Sequence, residues 1–193
     1  MILTERQLQD YIHSVYEGDS NTPDVSNDDY ITRRNYINLG IGFWEGWRGT
    51  KWNELYTTSL EASTGDKTVA TNDTQSDCPV DLVETLGFVQ LLDSNNNADT
   101  YTFVRQDEAQ IYIRSGSGRK IYYITGKPGA YKINWYPKIQ EVDNGKTIYY
   151  PYYKRALLVT SGSDTPEPND HLFLVHYTLH WLYKEEHPGM SRE

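Results

Sequence analysis

Two histidines near the C-terminus have a spacing that can hold a metal ion. His176 and His180 are four residues apart in a segment with helical periodicity, so both imidazoles would lie on one helix face. The residues between them are Tyr, Thr and Leu, so the glutamate that zinc hydrolases use as a base is absent. His171 falls off that face. We interpret the pair as exposed or partly buried histidines on an amphipathic helix and predict no metal site and no cofactor. A metal-dependent hydrolase is a third, residual hypothesis.

Other catalytic patterns are equally incomplete. The segment Gly116-Ser117-Gly118-Arg119-Lys120 resembles a phosphate-binding loop, but the runs on both sides are typical of strands, which predicts a hairpin turn. Cys78 is followed by Pro79 in a polar stretch and has no basic neighbour to activate its thiol. The sequence contains no Gly-x-Ser-x-Gly nucleophile motif. We therefore predict no catalytic residues and no enzymatic activity.

Composition narrows the class of protein. The chain has 193 residues, a formal net charge of −9 and 13% aromatic residues, among them 17 tyrosines and 5 tryptophans. One cysteine excludes an internal disulfide. No apolar run approaches the roughly 20 residues of a membrane span, and the start of the chain lacks a secretory signal pattern, so we expect no membrane contact. The acidity argues against binding duplex DNA through its phosphates.

The two ends of the chain show helical patterns. Thr4 and Gln7 form a capping box before an apolar stripe of Leu8, Tyr11, Ile12 and Val15. Ser26 or Asn27 caps a second helix, whose predicted inner face is Tyr30, Ile37, Ile41 and Trp44, flanked by Arg33, Arg34 and Asn38. Leu172, Val175, Leu179 and Leu182 predict a closing helix that Pro188-Gly189 ends.

The middle of the chain alternates with a period of two. Strand patterns cover 88–92, 101–104, 111–113, 121–124, 131–135 and 147–150, separated by Asn-, Gly- and Pro-rich turns. This predicts an antiparallel β-layer, as a meander or a small sandwich. The fold class is α+β, with one domain over 1–193, helical parts at 1–60 and 169–188 and a β-rich part at 66–160.

The surplus of aromatic side chains needs an explanation. The run Tyr149-Tyr150-Pro151-Tyr152-Tyr153 lies in a strand pattern, where adjacent residues face opposite sides. At least some of these rings are therefore expected to face outward. Tyrosine and tryptophan are enriched at protein interfaces. We favour an interaction surface over a purely structural core, which is the alternative.

Two segments resemble tailed-bacteriophage neck proteins, the head-to-tail adaptors (connectors) and the gatekeeper or tail-tubular proteins. The second segment is the stronger and runs Ile133-Asn134-Trp135-Tyr136-Pro137, a turn, Ile148-Tyr149-Tyr150-Pro151-Tyr152-Tyr153-Lys154, Ala156 to Ser161, and Ser163-Asp164-Thr165-Pro166-Glu167-Pro168 before the last helix. The first contains Tyr30, Arg33, Arg34, Asn38, Trp44, Glu45, Trp52 and Leu55. Together the segments and their order cover about two thirds of the chain.

The resemblance implies a structural protein of the virion, located in the neck or tail region and assembled in the host cytoplasm. Such proteins form a homo-oligomeric ring, usually a dodecamer, between the portal protein and the tail or tail-terminator (nozzle) protein, and DNA passes through the lumen without specific binding. An acidic chain suits a lumen to which DNA does not adhere. We expect the second helix to pack between subunits and the tyrosine run to meet neighbouring rings. The interface residues predicted in this way are Tyr30, Arg33, Arg34, Ile37, Trp44, Tyr149, Tyr150, Tyr152, Tyr153 and Lys154.

The alternative is a carbohydrate-binding β-module. Exposed Tyr and Trp rings on a small β-sandwich can stack on sugar rings. Helical segments on both sides of the β-part count against this hypothesis, because lectin-like sandwiches seldom need them.

Overall fold

Helices begin and end the chain and strands fill its middle. The computed structural model describes residues 2–187. Helices α1 (Glu5–Tyr16) and α2 (Asp28–Glu45) come first, strands and α3 (Gln106–Ser115) follow, and α4 (His171–Glu186) comes last. This confirms the α+β class with N-terminal helices and a closing helix. The predicted helix end at Pro188-Gly189 lies outside the described residues.

The chain divides into two compact units. One, the helical unit, consists of Met1–Glu54 and Ala156–Glu193, and the other, the β unit, is Leu55–Arg155. The predicted helical part reached residue 60, but the first strand already begins at Tyr56.

Helix α1 begins at the predicted capping box. Thr4 Oγ1 accepts a hydrogen bond from the Gln7 amide at 3.4 Å, and Gln7 Oε1 accepts one from the Thr4 amide at 2.9 Å. The predicted apolar stripe was wrong at Tyr11 and Val15, which are exposed. The buried face is instead Glu5, Leu8, Gln9, Ile12 and His13. Polar residues are buried there because α2 supplies hydrogen-bond partners for them.

Helix α2 has the predicted inner face. The Asn27 side chain caps it by accepting from the Asp29 amide at 2.8 Å. All four predicted inner residues, Tyr30, Ile37, Ile41 and Trp44, are buried. Helix α2 packs against both α4 and α1, and α4 contributes Leu174, Val175, Leu179 and Leu182 to the interior of the helical unit.

The β unit contains two sheets. The strands are β1 (Tyr56–Thr58), β2 (Gln75–Asp77), β3 (Leu82–Thr85), β4 (Phe88–Leu92), β5 (Ala98–Phe103), β6 (Ile121–Thr125), β7 (Lys132–Tyr136), β8 (Thr147–Tyr149) and β9 (Pro151–Lys154). A three-stranded sheet has the order β1-β9-β3, and a six-stranded sheet has the order β2-β7-β6-β5-β4-β8. Every pair is antiparallel except β5 with β6.

The parallel pair exists because α3 connects its two strands. Residues 111–113 were predicted as a strand, and this was wrong: they lie in α3. Asp107 and Glu108 occupy its first turn, where the helix dipole favours acidic side chains. Gly116 ends it with φ +63°, in the left-handed region. The glycine loop predicted as a hairpin turn is therefore the exit of a helix in a β–α–β crossover.

Tyrosines form much of the interior of the β unit. Tyr101, Tyr122, Tyr150 and Tyr152 are at most 1% exposed and belong to one core cluster with Val89, Leu91, Ile133, Trp135, Ile139 and Ile148. The Tyr101 and Trp135 rings meet edge to face, with centroids 5.1 Å apart. Aromatic and aliphatic side chains together thus fill the core of the β unit.

The loop that precedes α4 in the helical unit is held by hydrogen bonds to one carboxylate, that of Asp164. The Asp164 carboxylate accepts hydrogen bonds from the amides of Thr160 and Ser161, at 2.7 and 2.9 Å, and from both of their hydroxyls. The hydrogen bond from the Thr160 amide, followed by those from Ser161, lowers the pKa of the Asp164 carboxyl well below its usual value. The Glu5 amide donates to the Asp164 carbonyl at 2.7 Å, which fixes the loop to the start of α1.

Candidate interaction surface

Helix α2 carries a second apolar side, an outer one, next to its buried side. Leu39 is 55% exposed and Phe43 45% exposed, and both lie on this outer side with Tyr36. Trp47, in the 3-10 turn Trp47–Gly49 that follows, is 40% exposed, and its ring centroid is 5.0 Å from that of Phe43. A surface helix usually has one apolar side, which faces the interior. The second apolar side of α2 is therefore left exposed in the helical unit.

Helix α4 adds a matching row of rings. Phe173, Tyr177 and Trp181 are spaced four residues apart, which places them along one side of the helix. Phe43 contacts both Phe173 and Tyr177, with centroids at 6.3 and 5.5 Å. We call the combined surface the aromatic face and define it by Tyr36, Leu39, Phe43, Trp47, Phe173, Tyr177 and Trp181.

Contacts continue along the whole aromatic face. Tyr177 and Trp181 have centroids 6.4 Å apart, and Trp181 stacks on Tyr36 at 6.3 Å with an interplanar angle of 9°. The Tyr36 hydroxyl donates to Glu185, and burial, followed by the hydrogen bond to this carboxylate, raises the pKa of Tyr36 to about 12. The rings therefore hold one another in place, so the surface is preorganised.

A pocket opens at the Trp47 end of the aromatic face. Its volume is about 580 Å³. The Trp44 and Trp52 rings stack in its wall with centroids 4.9 Å apart, and Trp52 Nε1 donates to the Trp44 carbonyl at 2.7 Å. We call it the tryptophan pocket; its lining residues are Phe43, Trp44, Trp47, Trp52, Glu54, Asn169, Asp170 and Phe173.

Three of the predicted interface residues form a polar seam between α1 and α2. The Glu5 carboxylate is fully buried and accepts from Arg34 Nε and Nη2, at 3.0 and 3.1 Å, and from the Tyr30 hydroxyl at 3.1 Å. Arg33 is 2% exposed and contacts His13 Nδ1 at 2.8 Å and Glu17 at 3.0 Å. These side chains hold the helical unit together and have little surface to offer a partner.

The other predicted interface residues divide by burial. Ile37 and Trp44 are buried in the helical unit, and Tyr150 and Tyr152 are buried in the β unit. Tyr149, Tyr153 and Lys154 are partly exposed. The Tyr153 ring meets Tyr56 edge to face at 6.2 Å across the β1–β9 pair. Of the predicted set, these three are the ones that keep surface in the β unit.

The residues considered for metal binding and nucleophilic catalysis are two exposed histidines and one buried cysteine. His176 and His180 are both exposed on α4. Within residues 2–187 no three His, Cys, Asp or Glu side chains are placed to hold a metal ion. Cys78 is 5% exposed, and its burial raises the pKa of the thiol to about 12. A thiol in this state is a poor nucleophile at neutral pH.

Sequence reasoning missed most of the aromatic face. In α2 it assigned the interface to Tyr30, Arg33, Arg34, Ile37 and Trp44, on the basis of the resemblance to neck proteins. The signal for the outer side was present in the spacing of Tyr36, Phe43 and Trp47, and in the four-residue repeat on α4. What the spacing did not reveal was that the two rows lie side by side.

The sequence matches no protein family model, and the search of curated proteins finds no match to it either. None of the helices in the part of the chain that the structure describes has the length and apolar character needed to cross a membrane.

Proposed function

We propose that this chain is a non-enzymatic structural protein of a tailed-phage virion, a head-to-tail adaptor whose copies form a ring between portal and tail. The aromatic face is the observation that carries the proposal. It presents a contiguous apolar surface, with Leu39, Phe43 and Trp47 each at least 40% exposed. Contiguous exposed apolar patches mark protein interaction sites on soluble proteins.

The face suits contact between copies around a ring. It runs along two helices, and helices packing side by side is the contact that the resemblance to neck adaptors implies. A ring closes through a head-to-tail contact, in which the aromatic face of one copy meets a different surface of the next. Aromatic residues are enriched in such interfaces, and here their mutual packing lowers the ordering cost of association.

The β unit supplies the surfaces proposed to meet neighbouring rings. Tyr149, Tyr153 and Lys154 are partly exposed, and Tyr56, Phe88 and Phe103 are exposed. The portal protein on one side and the tail or tail-terminator protein on the other are the proposed partners. The net charge of −9 fits a lumen through which DNA passes without binding.

The carbohydrate-binding alternative is not favoured by a specific observation. Sugar stacking needs exposed rings. Tyr56, Phe88 and Phe103 are exposed on strands of the β unit, but Tyr101, Tyr122, Tyr150 and Tyr152 are buried in its core.

Negative-stain electron microscopy tests the proposal. The purified protein is imaged alone and mixed with the portal ring of its own phage or prophage. Rings alone, or an added layer on the portal, are expected. Monomers that ignore the portal would contradict the proposal, and a polysaccharide pull-down with saturable, sugar-competed retention would support the alternative.

A pair of matched variants ties the result to the aromatic face. Leu39→Glu places a charge within the face, and Ile111→Glu places one on α3, where the isoleucine is 68% exposed. Both positions are exposed, so both variants are expected to fold. Leu39→Glu is expected to abolish ring formation and Ile111→Glu to leave it intact.

A further inference from the structure

The tryptophan pocket has the composition of a site for an organic cation. Its volume of about 580 Å³ falls in the range of roughly 300–1,000 Å³ typical of ligand pockets. Aromatic rings carry negative charge on their faces and attract ammonium and guanidinium groups. Three tryptophans and two phenylalanines line this one.

The charged side chains that line the pocket are negative, as the binding of a cation requires. Glu54 and Asp170 are its charged lining residues, and no Lys, Arg or His lines it within residues 2–187. Two carboxylates beside aromatic walls complement a positive charge and disfavour an anion. Nor are the first amides of α4 available to an anion, because Asp170 accepts from those of Leu172 and Phe173, at 3.1 and 3.4 Å.

The chain itself already places a cation on one of these rings. The Arg48 guanidinium lies 5.0 Å from the centroid of the Trp47 ring. This distance is within the roughly 6 Å at which a cation–π attraction operates. A ring that lines the pocket therefore already attracts a guanidinium group.

We propose that the tryptophan pocket binds a basic side chain, lysine or arginine, presented by a partner protein. A protein source is favoured over a free cation because the pocket is continuous with the aromatic face: Phe43, Trp47 and Phe173 belong to both. The inference deepens the proposed function and rests on it for the nature of the partner. The aromatic face supplies the contact area, and the pocket selects a partner segment by its positive charge.

Capped tripeptides test the inference directly. Protein labelled with 5-fluorotryptophan is titrated with acetyl-Gly-Arg-Gly-amide, with its lysine counterpart and with a neutral citrulline counterpart, and the 19F resonances are followed. The resonances of Trp44, Trp47 and Trp52 are expected to shift saturably with the basic peptides, and that of Trp135, in the core of the β unit, to stay unchanged. The citrulline peptide is expected to bind about tenfold more weakly.

Charge-neutral variants locate the site. Glu54→Gln keeps an acceptor for the Asn169 amide that donates to it, and Asp170→Asn keeps a side-chain cap for α4. Together they are expected to weaken binding of the arginine peptide about tenfold. Glu108→Gln, which removes an exposed carboxylate from α3 in the β unit, is the matched control and is expected to change nothing.

Three outcomes would overturn the inference: equal affinity for the citrulline peptide, no saturable shift with either basic peptide, or saturable binding of free choline without binding of the basic peptides. The peptide titration and the electron-microscopy test of the proposed function can fail independently of each other. Portal-bound rings with no peptide binding would overturn only this inference. Peptide binding by a protein that ignores the portal would contradict only the ring assignment.

Discussion

The backbone of Gly40 on α2 lies against the ring of Tyr177 on α4. A Cβ atom at position 40 would come 3.1 Å from Tyr177 Cδ1 and 3.1 Å from Leu174 Cδ2, closer than most real Cβ contacts. This approach brings the outer side of α2 beside the ring row of α4. The aromatic face therefore depends on a residue without a side chain.

The two central glycines of α2 are expected to respond differently to alanine. Gly42→Ala meets nothing within 4 Å and is expected to stabilise the protein by about 0.5–1 kcal/mol through helix propensity. Gly40→Ala must displace Tyr177 or the buried Leu174 and is expected to be about 1 kcal/mol less stable than Gly42→Ala. Urea unfolding measures both, and equal gains would contradict the close packing.

The buried contact between Glu5 and Arg34 is expected to be important for stability. Glu5→Gln leaves the Arg34 guanidinium without its charged partner and is expected to cost about 3 kcal/mol in free energy of unfolding. Asp10→Asn is the control on the same helix, because Asp10 forms an exposed ion pair with Arg6 and should change stability by less than about 1 kcal/mol. Similar losses of unfolding free energy in the two variants would contradict the larger contribution of the buried ion pair.

The Asp164 loop predicts a particular pH dependence. The pKa of this carboxyl is lowered in the folded protein, so its stabilising contribution is complete above its usual value of 3.8 and is lost as the pH falls below that. The difference in Tm between the parent chain and Asp164→Asn is therefore expected to be largest at neutral pH and to narrow below about pH 4. A difference that stays constant down to pH 2 would mean that the ionised carboxylate does not hold the loop.

Cys78 is expected to resist thiol reagents in the folded protein. Its pKa rises from 9.0 to about 12 on burial, so the thiolate fraction at pH 8 falls by roughly three orders of magnitude. Labelling with dithionitrobenzoate should be slow in buffer and stoichiometric in urea. Rapid labelling in buffer would show that this part of the β unit opens readily.

Local patterns predicted the ends of the fold well. Thr4 and Gln7 form the capping box because its hydrogen bonds lie within four residues, and the inner face of α2 follows from helical periodicity alone. Ile111 and Ile113 show the limit, because β-branched residues favour a strand locally while the crossover between β5 and β6 requires a helix. At these two positions the helical crossover overrides the local preference for a strand.

The candidate surface was harder to predict because it depends on long-range placement. Tyr150 and Tyr152 looked like surface rings in a strand pattern, but both sheets of the β unit bury tyrosine. The aromatic face joins residues more than a hundred positions apart, Phe43 and Tyr177 among them. No periodicity in the sequence reports that kind of contact.

Photo-crosslinking from the aromatic face tests the central claim most directly. Benzoylphenylalanine is placed at position 39, or at position 111 as the control, and the protein is irradiated after mixing with the portal ring. We expect position 39 to give covalent dimers of this chain, mapped by mass spectrometry, and position 111 to give none. If position 39 gives no crosslink between copies while the layer on the portal forms, the aromatic face is not the contact that builds the ring.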